Sequence, residues 1–240
     1  MPRHPLAKRP ARPYESPMTN AAPLPADATL DEMRPALARA MAPHAAFDGW
    51  GEAALSAAAR DLGIAPDVAR LAFSGGAMDM INAYIATADS QLAAACPAEK
   101  LARLKIRERI TCLIRTRLEQ ATPHKEALRR ALAIMAMPQN SLKSMQILWR
   151  TADHMWRLAG DSATDLNYYS KRTLLSGVYS ATLLTWLNDS SEDHGTTWAF
   201  LDRRIGDVMT IEKVKHRWQA RAGERPSLTR FLGRLRHPPR

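Results

Sequence analysis

Past residue 27, nearly every segment of this 240-residue chain repeats its apolar positions at the 3.6-residue spacing of a helix. No stretch alternates apolar and polar residues between hairpin turns, so strands have no signal. The pattern predicts helices near 27–42, 51–62, 66–73, 77–94, 98–120, 123–136, 141–158, 165–187, 196–218 and 227–236. Breaks are expected at Pro43, Gly63, the Gly75-Gly76 pair, Pro97, Pro123, Pro138 and Gly160. Asn140 and Ser141 suit one helix start, and Asp161 to Asp165 offer several caps for the next. The fold class is all-α.

Charge divides this helical body from its ends. The net charge is +10, yet residues 1–20 hold +3 of it, residues 213–240 hold +8, and 21–212 sum to −1. A cationic tail on a nearly neutral body suits an anionic surface better than a nucleic-acid groove. The organisation predicted is a basic, proline-rich, disordered tail (1–26), an N-terminal part (27–95), a larger helical part (96–218), and a tether with a basic helix (219–240). No run approaches the roughly 18–20 apolar residues of a membrane span. Cys96 and Cys112 form no C-x-x-C, and reduced thiols in a cytosolic-type compartment are expected.

"FDGWGEAALSAAARDLGIAPDVARLAF" resembles a helix-turn-helix of the TetR regulator kind, with Trp50 and Leu55 packing its first helix. Its charge is wrong for DNA. Residues 44–82 carry only Arg60 and Arg70 against Asp48, Glu52, Asp61, Asp67 and Asp79, whereas duplex binding needs several phosphates neutralised. The start of the would-be recognition helix, Ala65, Pro66, Asp67 and Val68, offers little to read base edges. A vestigial scaffold without a nucleic-acid role is expected.

At the other end, "SLTRFLGRLRH" puts Leu228, Phe231, Leu232 and Leu235 on one face of a short helix, flanked by Arg230, Arg234 and Arg236. Such a basic amphipathic helix reads as an interfacial membrane anchor. The alternative is docking against the body or a second copy of it.

No catalytic constellation stands out. No Glu precedes a His by three residues, the seven histidines lack metal-ligand spacing, and there is neither a phosphate loop nor a nucleophile elbow. An enzyme, a metal site and a cofactor are therefore not expected. His154 and His194 read as surface or capping residues, and "NDSSEDHG" as an acidic loop capping the helix after it.

The dense stretch "DSATDLNYYSKR" remains. It crowds acids, aromatics and cations at the entrance of the apolar helix "TLLSGVYSATLLTWL". Met155, Trp156, Tyr168 and Tyr169 converge there beside Lys171 and Arg172, and aromatics, Met and Arg are enriched at protein interfaces. Further along, small residues suit either close packing or a cavity. For a cavity, Leu174, Gly177, Val178 and Ala181 are the candidate lipid contacts.

"MPQN", "MWRLAGDSATDLNYYSKRTLLSGVY" and "DSSEDHGTTWAFLDRRI" resemble the ubiquinone-biosynthesis accessory proteins of the Coq-nine family, densely over about 138–218 and weakly back through the helix-turn-helix. The resemblance implies a TetR-like helical bundle, often dimeric, that binds isoprenoid quinone lipids and touches an anionic membrane with a C-terminal amphipathic helix. It also implies delivery of the lipid to the di-iron hydroxylase acting on demethoxyubiquinone. The implied hydroxylase-facing patch is Met155, Asp165, Tyr168, Tyr169 and Arg172, with Trp156 beside them. Relatives can carry Trp where Tyr168 stands, so the aromatic anchor here has less area and an added hydroxyl. A peripheral position follows: at the inner membrane of a bacterium, or on its matrix side in a mitochondrion. Two other readings stay open, a TetR-like regulator with an apolar ligand and a structural scaffold for biosynthetic enzymes.

Overall fold

A computed structural model of the chain describes Pro25, residues 27–161 and residues 166–222, with side chains of the last stretch described from 168 to 208. The described residues include ten α-helices, joined by short turns: α1 (Leu30–Asp48), α2 (Glu52–Asp61), α3 (Pro66–Ala72), α4 (Ala77–Ala95), α5 (Ala98–Ala102), α6 (Ile106–Ala121), α7 (Lys125–Met135), α8 (Ser141–Leu158), α9 (Leu166–Asn188) and α10 (Gly195–Ala222). The expected membrane residues Leu228, Arg230, Phe231, Leu232, Arg234, Leu235 and Arg236, with Asp165 of the docking patch, lie outside the described residues.

Two predicted boundaries are corrected. Helix α1 runs through Pro43 to Asp48 although proline lacks the N–H for the helical ladder. Leu37, Met41 and Ala45 on one face are fully buried, and that burial outweighs the missing bond. The helix ends only at Gly49, whose φ of +77° suits glycine, with its N–H bonded to the Ala45 carbonyl. Conversely, the single helix expected over 98–120 is split at Arg103–Lys105. Arg109 gathers the carbonyls that the split leaves over. It donates from Nε to Leu104 (2.9 Å) and from Nη2 to Ala102 (3.4 Å), and Nη1 bonds the end of α8 at Ala159 (2.8 Å). The breaks at Gly63, Gly76 and Gly160 are where the pattern put them.

The core has two parts. In the first, alanines of α1, α2 and α3 let the helices approach closely around Leu37, Met41 and Leu55, packed on Ile81 and Ile85 of α4. The second gathers Leu113, Ile114 and Leu118 of α6 with Met155 of α8, Leu175 and Trp186 of α9, and Leu201 of α10. Helices α4 and α7 contribute to both, so the two parts share walls. Trp50 marks the join: its indole N–H donates to the Ala127 carbonyl of α7 (2.8 Å), and its ring lies 5.0 Å from that of Tyr84 in α4.

Because Pro43, like Pro35 earlier in the same helix, withholds a backbone donor, Pro43→Ala should stabilise the protein by about 1 kcal/mol or more. Thermal unfolding should then rise by roughly 2–4 °C. An unchanged or lower midpoint would mean that the ring's packing matters more than the ladder.

Candidate functional site

The helix entrance is built as a clamp between the end of α8 and the start of α9. Arg172, 1% exposed, donates from Nε to Asp153 (2.6 Å) and from Nη1 to Asp161 (3.0 Å) and to the Tyr168 carbonyl (3.2 Å). Lys171 also donates to Asp161 (2.6 Å), and Arg157 pairs with Asp153 (2.8 Å). Burial alone would raise both carboxyls. Hydrogen bonds from Arg172 with Tyr168 on Asp153, and from Lys171 with Arg172 on Asp161, outweigh it and hold both below the usual range.

The clamp positions aromatic rings. The Arg172 guanidinium lies 3.5 Å from the centre of the Tyr168 ring, and the Tyr168 hydroxyl donates to Asp153 (3.2 Å). Tyr169 packs edge-on against Tyr168 (5.1 Å) and beside Trp149 of α8 (6.1 Å), and is 61% exposed. Trp156 is held by a hydrogen bond to the Lys171 carbonyl (3.0 Å).

The expected patch is therefore partly corrected. Tyr168, Tyr169 and Trp156 reach the surface to different degrees. Met155 and Arg172 are buried, Met155 in the core and Arg172 under its two carboxylates, so they support the face rather than offering contacts. Trp149 and Asp153 complete it and escaped the sequence reading. Both lie on the stripe shared with Trp156, since 149, 153 and 156 are i, i+4 and i+7.

Two cavities flank α9. The smaller, about 300 Å³, is lined by Leu174 and Val178 together with Trp156, Lys171 and Ile106. The larger, about 400 Å³, is lined by α4, α6, α7, α8 and α9 and open on one side, with walls such as Ile85, Leu118, Leu132, Leu148 and Leu183. Of the candidate lipid contacts, Leu174 and Val178 thus reach a cavity, whereas Gly177 and Ala181 line neither. Gly177 is exposed, and a Cβ added there would meet nothing within 4 Å. The residues of α9 on the larger cavity are Tyr179, Ser180, Leu183 and Leu184, one stripe round the helix. Met135 and Met145 line it too, as their methionine-rich segment suggests.

One end of that cavity is polar. Arg117 of α6 lies 2.5 Å from Asp89 of α4 and donates from Nε to the Tyr179 hydroxyl (2.9 Å). Thr151 of α8 donates to Asp89 (3.2 Å), and His154 bonds the Asp89 carbonyl (2.9 Å). Burial opposes the Arg117 charge, yet Tyr179 and Asp89 more than offset it and its pKa is raised. Sequence reading missed this cluster, whose signal is a charge set into a core stripe: Asp89 follows Ile81 and Ile85, and Arg117 follows Ile110 and Leu113. The acidic loop does cap α10, through Asp189 accepting from the N–H (2.8 Å) and hydroxyl (2.6 Å) of Thr197. Among the described residues, no group of three or more His, Cys, Asp or Glu could hold a metal, and no helix is long and apolar enough to cross a membrane.

A bundle with an N-terminal three-helix unit and a cavity among its later helices is the TetR-like class. The TetR transcriptional regulator from Nitrosomonas europaea ATCC 19718 superposes with a TM-score of 0.59 at 23% identity, covering 72% of this chain and 96% of that one. Residues 142–212 match the COQ9 family model. The rat "Ubiquinone biosynthesis protein COQ9, mitochondrial" is 34% identical over 183 residues, which is 72% of this chain and 58% of the relative. Its human counterpart is 32% identical over the same length, 72% and 57%. The "Probable ubiquinone biosynthesis protein coq9, mitochondrial" of Dictyostelium discoideum is 26% identical over 194 residues, 78% and 62%. The chain belongs to the COQ9 family, in an all-α TetR-like fold. It spans less than two thirds of the length of these relatives.

Arg172→Met would leave two largely buried carboxylates short of a partner, at a cost of about 3 kcal/mol. Both carboxyls are depressed, so the stabilisation is complete above their unfolded value of about 4 and is lost as pH falls through the folded values. Urea unfolding should show a full gap between wild type and variant at pH 7 that shrinks progressively as the pH is lowered below about 4. A gap that widens in acid would refute the assignment.

Proposed function

We propose that this chain is a non-enzymatic accessory protein of ubiquinone biosynthesis that binds an isoprenoid quinone intermediate in its larger cavity and presents it to the demethoxyubiquinone hydroxylase. The observation that carries the reading is the cavity itself. It is about 400 Å³, within the range of small-molecule sites, and mostly aliphatic in its walls. Met145 (69% exposed) and Leu184 (57%) line it as well as facing solvent, so a long apolar tail has a way in. The names of the COQ9 relatives supply the pathway.

The hydroxylase would dock on Tyr168, Tyr169, Trp156 and Trp149, which the Arg172 clamp holds in place. A rigid aromatic face backed by buried salt bridges suits a binding hot spot, because little side-chain entropy is lost on association. The membrane contact would fall to 224–240, the end of the cationic stretch 213–240, with the protein lying peripherally at an inner membrane; the relatives are named mitochondrial. A homodimer and the absence of nucleic-acid binding belong to the same reading. Arg70, on the helix that would read DNA, is already engaged by Glu52 and Asp67.

Organic extraction of the purified protein followed by mass spectrometry should recover isoprenoid quinones or their precursors. Protein that is empty on purification and takes up no quinone would overturn the reading. For docking, Tyr169→Ala should weaken hydroxylase capture at least tenfold, as expected of a hot-spot aromatic. Its melting temperature should stay within a degree or two, since the ring is largely exposed. Undiminished capture would move the docking face elsewhere.

A further inference from the structure

The larger cavity has an end that its apolar walls do not explain. Tyr84 lines it and is 9% exposed, and its hydroxyl has no hydrogen-bond partner among the described residues. The Tyr179 hydroxyl accepts from Arg117 Nε, which leaves its own proton to donate. Arg117 also lines the cavity, and its Nη1 lies close to Asp89 without hydrogen-bond alignment. Tyr84 lies within electrostatic reach of both Arg117 and Tyr179. A donor shielded from water without an acceptor is costly, and the two tyrosine hydroxyl protons at this end of an apolar space, beside a paired guanidinium, call for a ligand that supplies acceptors.

We infer that Tyr84, Tyr179 and Arg117 form a polar seat for the head of an amphiphile whose ring carries neutral oxygen acceptors, its tail leaving past Leu184 and Met145. This rests on the carrier reading above and adds which way round the ligand lies and what head it has. The neutrality follows from charge. Asp89 already balances Arg117, so a phosphate or carboxylate head would bring an unmatched negative charge into a buried site. Carbonyl and methoxy oxygens accept hydrogen bonds and add none. Burial pushes the Tyr84 hydroxyl up to about 12, so it stays a donor throughout the physiological range. Its ring is fixed by Trp50, 5.0 Å away.

The test uses the lipid-stripped full chain with three probes: a dimethoxybenzoquinone bearing a ten-carbon tail, the headless isoprenoid hydrocarbon farnesene, and short-chain phosphatidylglycerol. Affinities come from equilibrium dialysis, with thermal midpoints alongside. Tyr84→Phe deletes an unpaired hydroxyl, so its midpoint should hold or rise. Quinone affinity should fall about five- to tenfold, the range of one lost hydrogen bond, while farnesene stays within twofold. Tyr179→Phe should weaken quinone binding in the same sense. Unchanged quinone affinity in both variants, equal losses for farnesene, or phosphatidylglycerol binding more tightly than the quinone would each overturn the seat while leaving a carrier in place. If neither quinone nor farnesene binds the wild-type protein, the carrier reading falls and the seat with it.

Discussion

Asp89 and Arg117 face each other 2.5 Å apart, both almost shut off from water, and much of the larger helical part is arranged to make that tolerable. A buried ion costs several kcal/mol to desolvate, and the partner's attraction returns this only when the remaining hydrogen-bonding capacity is also used. Here α8 sends Thr151 and His154 to Asp89, and α9 sends the Tyr179 hydroxyl to Arg117. Four helices are thereby held in one register. An apolar set of similar volume would stabilise as well, so the pair contributes definition more than strength. That definition is what a cavity needs, because helices around an unfilled space otherwise tend to collapse into it.

The same two helices, α8 and α9, are fastened a second time at their junction by Arg172 between Asp153 and Asp161. With α9 pinned at its start and again at Tyr179, each of its stripes has a separate task. Tyr168 and Arg172 face α8, Leu175 and Leu183 enter the core, and Gly177 looks outward. Three of its hydroxyls are satisfied within the helix. Ser180, Thr182 and Thr185 each donate to the carbonyl four residues earlier, at 2.7, 2.7 and 2.9 Å. Small polar side chains can therefore sit along an apolar helix without marking a polar site, which is why that run was ambiguous when read alone.

Most helices were legible because their period and glycine breaks are local properties, as at Gly63, Gly76 and Gly160. Pro43 misled because a proline's cost is local while the compensating burial of Leu37, Met41 and Ala45 is tertiary. The split after Ala102 was invisible for a similar reason: Arg109 collects carbonyls from three places, including one fifty residues away at Ala159. At the entrance, residue types marked the right neighbourhood but not the depth. Arg172 has the composition of a contact residue and the position of a keystone. The buried polar cluster is signalled only by single charges within apolar stripes, Asp89 after Ile81 and Ile85 and Arg117 after Ile110 and Leu113, and helical period alone does not separate these from surface charges.

The N-terminal unit gains a purpose from Trp50. Its indole bonds to α7 at Ala127 and its ring rests on Tyr84, so α1 to α3 back the inner end of the larger cavity. A three-helix unit that read DNA would need free cations on α3, but Arg70 is taken up by Glu52 and Asp67, and Arg34 of α1 is taken up by Asp79. Charges that in a reader would face phosphates are spent here on tying α1, α2, α3 and α4 together. Under the proposed function this is consistent: a unit freed from nucleic acid keeps its packing because it supports the ring that meets the ligand's head. The alanine-rich core of α1 to α3 serves that end too, since close helix contacts leave the supporting wall little room to shift.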